Sequence, residues 1–289
     1  MKEVCNKMNK IEHQTFDEER ALYHLQNTEV CDCTFAGAAD GESVLKEARN
    51  ICVSNCNFSL RYPLWHVQGF QLSDSTMDED TRAALWYSHH GKIENCHLNG
   101  IKALRECKNI LISNCHIDSK EFGWRCDDVR ICDSNITSEY FLFESNHVDI
   151  QNLHMRGKYS FQYMQDVTID HSIFDTKDAF WHSKNLTVKN TVLKGEYLGW
   201  FSENLTLVNC KIIGTQPLCY CKHLVLIDCE MIDCDLSFEY SEVDASIIGS
   251  VLSVKNPKSG KIVADQIGEI IEEEPIIPCS CDIEIRIPA

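Results

Sequence analysis

The chain reads as a single all-β domain: a right-handed parallel β-helix, a solenoid of about twelve coils with a 19-residue period, capped at both ends. Three observations predict it. The stretch Asn185-Leu186-Thr187-Val188-Lys189-Asn190-Thr191-Val192-Leu193 recurs one period later as Asn204-Leu205-Thr206-Leu207-Val208-Asn209-Cys210-Lys211-Ile212. Apolar residues fill fixed columns of this repeat. Asn, Asp, His and Gly fill the columns between them. A unit this short cannot bury its own apolar face, whereas stacked copies of it can.

Residues 1–20 are mostly polar and read as an N-terminal cap, residues 21–253 as the helix, and residues 254–289 as a C-terminal cap or tail. With Asn190 as reference, the equivalent positions are Asp32, Asn55, Asp74, Asn95, Asn114, Asp133, Asn152, His171, Asn209, Asp228 and a degenerate Ile247. From Asn95 onward every step is 19; the earlier steps of 23, 19 and 21 place insertions after Phe35 and after Met77. Four and two residues before the reference lie apolar columns such as Leu186, Leu205 and Val188, Leu207. Residues two apart share one face of a strand, so both columns point inward. A third apolar column, three residues after the reference, holds Leu193 and Ile212. The reference column, and the one five residues before it (Asn50, Gly69, His90, Asn109, Asn185, Asn204), are residue types that tolerate positive φ. They predict left-handed corners, and Gly100, Ser119, Ser138, Gly157, Thr176, Gly195 and Gly214 a third corner.

Beyond Val254 the register is lost. The tail carries Glu269-Ile270-Ile271-Glu272-Glu273-Glu274 and the alternating strand Ile283-Glu284-Ile285-Arg286-Ile287. Open β-helix ends expose strand edges. The tail is therefore expected to fold over the last coils at Leu236, Phe238, Ile247 and Val251, or to pair with the tail of a second chain as a homo-oligomer.

The net charge of −17 argues against nucleic acid, whose phosphates need Lys and Arg, and against anionic membranes. No run approaches the ~18 apolar residues of a membrane helix. The charged N-terminus lacks the apolar stretch of a signal peptide, so a cytoplasmic protein is expected. Seventeen cysteines then read as free thiols used as small apolar residues.

The stretches Trp181–Cys221 and Ser253–Ile271 resemble a bacterial family of unknown function, number 3737 in the series of such domains. The Asn-cornered repeat resembles the wider pectin-lyase-like superfamily. The resemblance covers nearly the whole chain and implies the right-handed β-helix, but no activity or cofactor. Polygalacturonases of that superfamily carry Asn-Thr-Asp, Asp-Asp, Gly-His-Gly and Arg-Ile-Lys motifs. Only Asp127-Asp128 matches here, at a corner, and it reads as a turn element.

For chemistry, the strand before each corner is the informative one. One column reads Trp65, Trp86, Arg105, Trp124, Phe143, Gln162, Trp181, Trp200, Cys219, Phe238; its neighbour reads His66, Tyr87, Glu106, Arg125, Glu144, Tyr163, His182, Phe201, Tyr220, Glu239. A third carries Tyr62, Tyr140, Tyr159 and Tyr197. Adjacent positions of this strand face opposite ways, and the Trp column is expected inside. Arg105 and Gln162 fit that poorly. His66, Tyr87, Tyr163, His182, Trp181, Trp200, Tyr140, Tyr159 and Tyr197 are the candidates for a groove in which sugar rings stack on aromatics. The competing reading is cross-rung packing that stiffens the rod.

Glu106, Arg125 and Glu144 fall on successive rungs, with the two glutamates ~9.6 Å apart at β-sheet spacing. Paired carboxylates of inverting glycosidases stand ~6.5–9.5 Å apart. Arg125 would depress both pKa values, which suits a base but not an acid; an alternating charge ladder on a solvated face explains the trio as well. His97 and His116 stack without an evident third metal ligand, so no metal site is expected. Cysteines pair by rung, Cys96 with Cys115 and Cys210 with Cys229, as a thiol ladder in a narrow corner. Three functions remain in competition: a carbohydrate-binding β-helix using its aromatic face, an intracellular glycoside hydrolase or polysaccharide lyase, and a structural protein that assembles through its tail.

Overall fold

The computed structural model describes residues 8–37 and 42–286, so the start of the expected N-terminal cap, part of the insertion after Phe35, and Ile287 lie outside the described residues. The chain divides into two compact units, 1–138 and 139–289. Both are right-handed parallel β-helices of the expected period, with about 14 turns in all where the repeat columns count twelve. Among the described residues there is no helix, and none long and apolar enough to cross a membrane.

The coil is clearest in the second unit. The strand Lys184–Lys189 ends at the Asn190 corner, and the short strand Val192–Lys194 follows. Residues 197–201 then lead into the next long strand, Glu203–Val208. Register partners are one repeat apart: Leu186 with Leu205, Val188 with Leu207, Leu193 with Ile212. All six are at most 2% exposed. In the first unit Ile51, Val53, Phe58 and Leu72 are likewise buried. Burying one such side chain contributes about 1.5–3 kcal/mol, so the inward columns dominate the stability of each rung.

The corners are left-handed as expected. The φ angle is 56° at Asn185, 50° at Asn190, 54° at Asn204 and 50° at Asn209. Asn tolerates this conformation, and its amide also bonds along the stack: Asn209 donates to Asn190 (2.8 Å), Asn204 to Asn185 (2.9 Å), and Asn185 to Asp166 (2.8 Å). In the first unit Asn50 donates to Asn27 (2.6 Å). Of the third-corner residues, Gly100, Gly195 and Gly214 have positive φ, whereas Ser119, Ser138 and Thr176 do not. A Cβ at Gly195 would lie 2.2 Å from the Thr176 carbonyl oxygen, so that rung requires glycine.

One buried column beside the corner is filled mostly by Cys and Ser, such as Cys56, Ser75, Cys96, Cys115, Ser134 and Ser172. Cys96 Sγ donates to the Glu94 carbonyl (3.2 Å), as Ser75 Oγ does to Ser73 (2.7 Å). A small X–H group bonded two residues back fills this corner, and either residue supplies it. The sixteen cysteines among the described residues are all free thiols.

Pairing extends beyond the regular columns at both ends. Asn9–Glu12 lies parallel to Thr28–Cys31 as an early rung. Glu242–Lys255 is followed by Ser259–Ile271 and then Asp282–Ile285. Val243 pairs with Gly260, a step shorter than the period, across an irregularity between Ile247 and Ser250. The period changes there, which is why the columns fade although the stacking continues. The tail adds rungs rather than folding back: Ile247 and Val251 pair with Ala264 and Ile267, and Ile283 with Ile262.

Candidate functional site

At Tyr62–His66 and Asp178–His182 the aromatic segment is not a strand, although Ala103–Arg105 and Glu121–Trp124 pair there as short strands. Alternate residues are left-handed: φ is 60°, 59° and 56° at Tyr62, Leu64 and His66, and 54°, 65° and 54° at Asp178, Phe180 and His182. The pleat rule therefore fails. The middle residue turns inward, Leu64 and Phe180 being 0% exposed, while both following residues turn outward. Neighbours meet edge to face, Trp65 with His66 at 6.3 Å and 73°, Trp200 with Phe201 at 6.2 Å and 78°. The expectation that the Trp column lies inside is thus corrected. Trp65, Trp86, Trp124, Trp181 and Trp200 are half-buried, and His66, Tyr163, His182 and Phe201 are exposed.

The half-buried column has its own bonding rule. The indole N–H of Trp181 donates to the Tyr197 carbonyl (2.6 Å) and that of Trp200 to Gln216 (2.7 Å). Trp65 and Trp86 do the same to Ala83 and Lys102. Gln162 belongs here because its amide makes the same bond, to Asp178 (3.0 Å). Arg105 belongs because its guanidinium lies 4.6 Å from the Trp86 ring and 4.7 Å from the Trp124 ring, paired with Glu121 at 3.0 Å.

The rings form ladders. In the first unit Trp65 stacks on Trp86 (5.1 Å) and His66 on Tyr87 (4.8 Å). In the second, Tyr163, His182, Phe201 and Tyr220 stack in series at 5.0, 4.8 and 4.8 Å, beside Trp181 on Trp200 at 5.4 Å. Tyr140 stacks on Tyr159 (5.1 Å), and Tyr197 meets Trp200 edge-on (5.3 Å). Rings stacked this way cover one another's faces and show solvent their edges. A ligand ring finds an open face only where a ladder ends or is interrupted.

One ladder ends at His66. The preceding rung carries Glu47 instead of a ring, and there a shallow groove of about 870 Å³ opens, lined by His24, Gln26, Glu47, Arg49, His66 and Gln68. These fall in two columns over three rungs, Gln26, Arg49 and Gln68 being register partners. His24 Nε2 lies 2.7 Å from Glu47 Oε2, and that hydrogen bond holds the Glu47 carboxyl below its ordinary range. Among the described residues the side chains of Gln26, Arg49 and Gln68 have no hydrogen-bond or ion-pair partner. His89 continues their column; burial lowers its pKa, and its Nδ1 is buried without a partner.

Of this groove the repeat columns pointed to His66 alone. The signal for the rest was present. His13, one period before Asp32, is also left-handed (φ 54°), and stepping from it places His24 in the His66 column. The insertion after Phe35 displaces Glu47 from its expected number.

Glu106 and Arg125 occupy neighbouring rungs of the first unit, the Glu106 amide donating to the Trp124 carbonyl (2.9 Å), and both are exposed. Glu144 belongs to the second unit. His97 and His116 face each other at 5.7 Å, and among the described residues no three His, Cys, Asp or Glu side chains converge as a metal site.

A parallel solenoid with Asn-cornered 19-residue coils and external ring ladders defines a right-handed β-helix protein. Residues 9–284 match the family described as "Protein of unknown function (DUF3737)", and the chain belongs to it. No curated protein matches the sequence. Among solved structures, the surface adhesin PfbA of Streptococcus pneumoniae superposes with a TM-score of 0.53 at 10% identity, over 83% of this chain and 82% of that one. The catalytic domain of a GH87 α-1,3-glucanase in complex with nigerose matches with a TM-score of 0.40 at 9% identity, over 83% and 63%. The mannuronan C-5 epimerase AlgE4 A-module of Azotobacter vinelandii matches with a TM-score of 0.30 at 8% identity, over 96% and 87%. At 10% identity the likeness to the adhesin is one of fold.

Proposed function

We propose that this protein binds carbohydrate, and that the groove at the end of the His66 ladder makes the contact. One observation carries the reading: three unpartnered polar side chains, Gln26, Arg49 and Gln68, lie beside the unstacked face of His66. A sugar hydroxyl both donates and accepts. The groove supplies donors from Arg49, an acceptor at Glu47, and amides that do both. With one arginine and one glutamate the groove is close to neutral, which suits a polar, uncharged ligand. The apolar face of a pyranose can lie against His66, backed by Tyr87.

A glycan array probed with the full chain tests this, followed by calorimetric titration of the best hit. Arg49→Ala and His66→Ala should each weaken binding about tenfold or more, the loss expected for a bond to a charged group or a central ring. An array without hits, or affinities unchanged in both variants, would refute the proposal.

A further inference from the structure

The tyrosine column of the second unit is interrupted. Tyr140 and Tyr159 stack on consecutive rungs, 5.1 Å apart with 24° between their planes. Tyr197 holds the same place two rungs beyond Tyr159, and Asp178 stands between them, one period from each. Tyr159, Asp178 and Tyr197 share the same backbone conformation, with φ of 47°, 54° and 56°. The column therefore continues, but one ring is missing from it. At β-sheet spacing the two tyrosines stand roughly 9.6 Å apart. That is close to twice the Tyr140–Tyr159 stacking distance, so one further ring fits midway.

The foot of this gap is unusual. Asp178 is only 6% exposed, and its Oδ1 is buried without a hydrogen-bond partner. A buried acceptor left unpaired is costly and calls for a donor. Burial pushes the Asp178 carboxyl above its ordinary pKa, against the opposing pull of Lys177 and Lys158. Those lysines rest on the walls: Lys158 Nζ lies 4.5 Å from the Tyr159 ring centre, and Lys177 Nζ 4.9 Å from that of Tyr197. Lys177 is also held by Glu196 at 2.8 Å, and its side chain is 40% exposed.

We propose that the gap between Tyr159 and Tyr197 is a binding slot for one pyranose ring, stacked between the two tyrosines with a hydroxyl donating to Asp178. The proposal rests on the carbohydrate reading for its ligand class and adds a second subsite, wholly within the second unit. The gap itself selects among ligands. A plain aromatic ring would fill the walls but leave Asp178 unpaired. An anion would meet Asp178 and Glu196, and an organic cation would have to displace two ammonium groups. A neutral ring carrying hydroxyls satisfies both the walls and the orphan acceptor. To admit it, Lys158 swings off Tyr159 and Lys177 off Tyr197, the latter staying tethered to Glu196.

The test is saturation-transfer NMR on the full chain with methyl glucopyranoside, galactopyranoside and mannopyranoside, in wild type, Asp178→Asn, Tyr197→Leu, Lys177→Gln and Arg49→Ala. Thermal melts confirm that each variant is folded. Asp178→Asn and Tyr197→Leu should weaken binding at the slot about tenfold. Lys177→Gln should strengthen it by clearing the wall, while Arg49→Ala should remove only the groove's share of the signal and leave the slot's share in place. A merely structural Asp178 would not give this split. If wild type and Lys177→Gln bind none of the pyranosides while array glycans still bind through Arg49, the slot is refuted and the proposed function stands. If no glycan binds at all, both fall.

Discussion

Asn185 sits at a corner with φ of 56°, donates to Asp166 at 2.8 Å and accepts from Asn204 at 2.9 Å. A substitution series separates these two roles. Glycine keeps the left-handed backbone and loses only the two exposed hydrogen bonds, at about 0.5 kcal/mol each, so Asn185→Gly should cost about 1 kcal/mol. Alanine loses the same bonds and adds left-handed strain of about 1 kcal/mol, for a total of about 2 kcal/mol. Valine is β-branched and more strained at positive φ, which takes Asn185→Val to about 3 kcal/mol. Urea unfolding followed by circular dichroism gives the order, and limited proteolysis shows whether the opening is local to the corner. The expected ranking is Gly, then Ala, then Val. If Val proves no worse than Gly, backbone strain does not decide the residue at this corner, and the argument for the whole Asn column fails.

Other consequences follow from the same structure. Asp178 has a raised pKa in the folded state, so the folded chain holds its proton more tightly than the unfolded one, and stability falls as pH rises from the unfolded value of 3.8 through the folded one. Asp178→Asn should therefore raise the melting temperature at neutral pH, with the gain shrinking as the pH is lowered through the unfolded value; a gain independent of pH would refute the assignment. Burial pushes the thiols of Cys56 and Cys234 up to about 12, so iodoacetamide on native protein should reach the half-exposed Cys52, Cys132, Cys279 and Cys281 first. After anaerobic denaturation all seventeen thiols should titrate, and a markedly lower count would reveal disulfides. Deleting residues 275–289 strips Asp282–Ile285 from Ile262 and Ala264, both 0% exposed, and removes Arg286 from the Ile247 carbonyl and Asp265. The truncated chain should melt lower and aggregate through the bared edge; equal stability would show that the last rung contributes nothing.

The architecture was legible because a solenoid is nearly one-dimensional. Each rung contacts its neighbours at a fixed offset, so the pattern of Leu186, Val188, Leu193 and the Asn190 corner repeats along the chain as it repeats in space. The ring columns were legible for the same reason: equivalent positions stack, and His66 on Tyr87 or Trp181 on Trp200 follow from spacing alone. What spacing could not convey was the direction in which those side chains point. That depends on backbone conformation, and the sequence pattern of the aromatic segment resembles a strand while its φ angles alternate in sign. Only the tertiary structure decided that Trp65 and His66 both face outward, that Gln162 and Arg105 substitute for indoles by bonding and by stacking, and that the ladders bury their own faces. It also located two interruptions of the ring columns: the groove where the His66 ladder ends, and the place of Asp178 between two tyrosines. An interruption shows in the sequence only as one residue that fails to match its column, and whether it is a defect or a site depends on what surrounds the space it leaves.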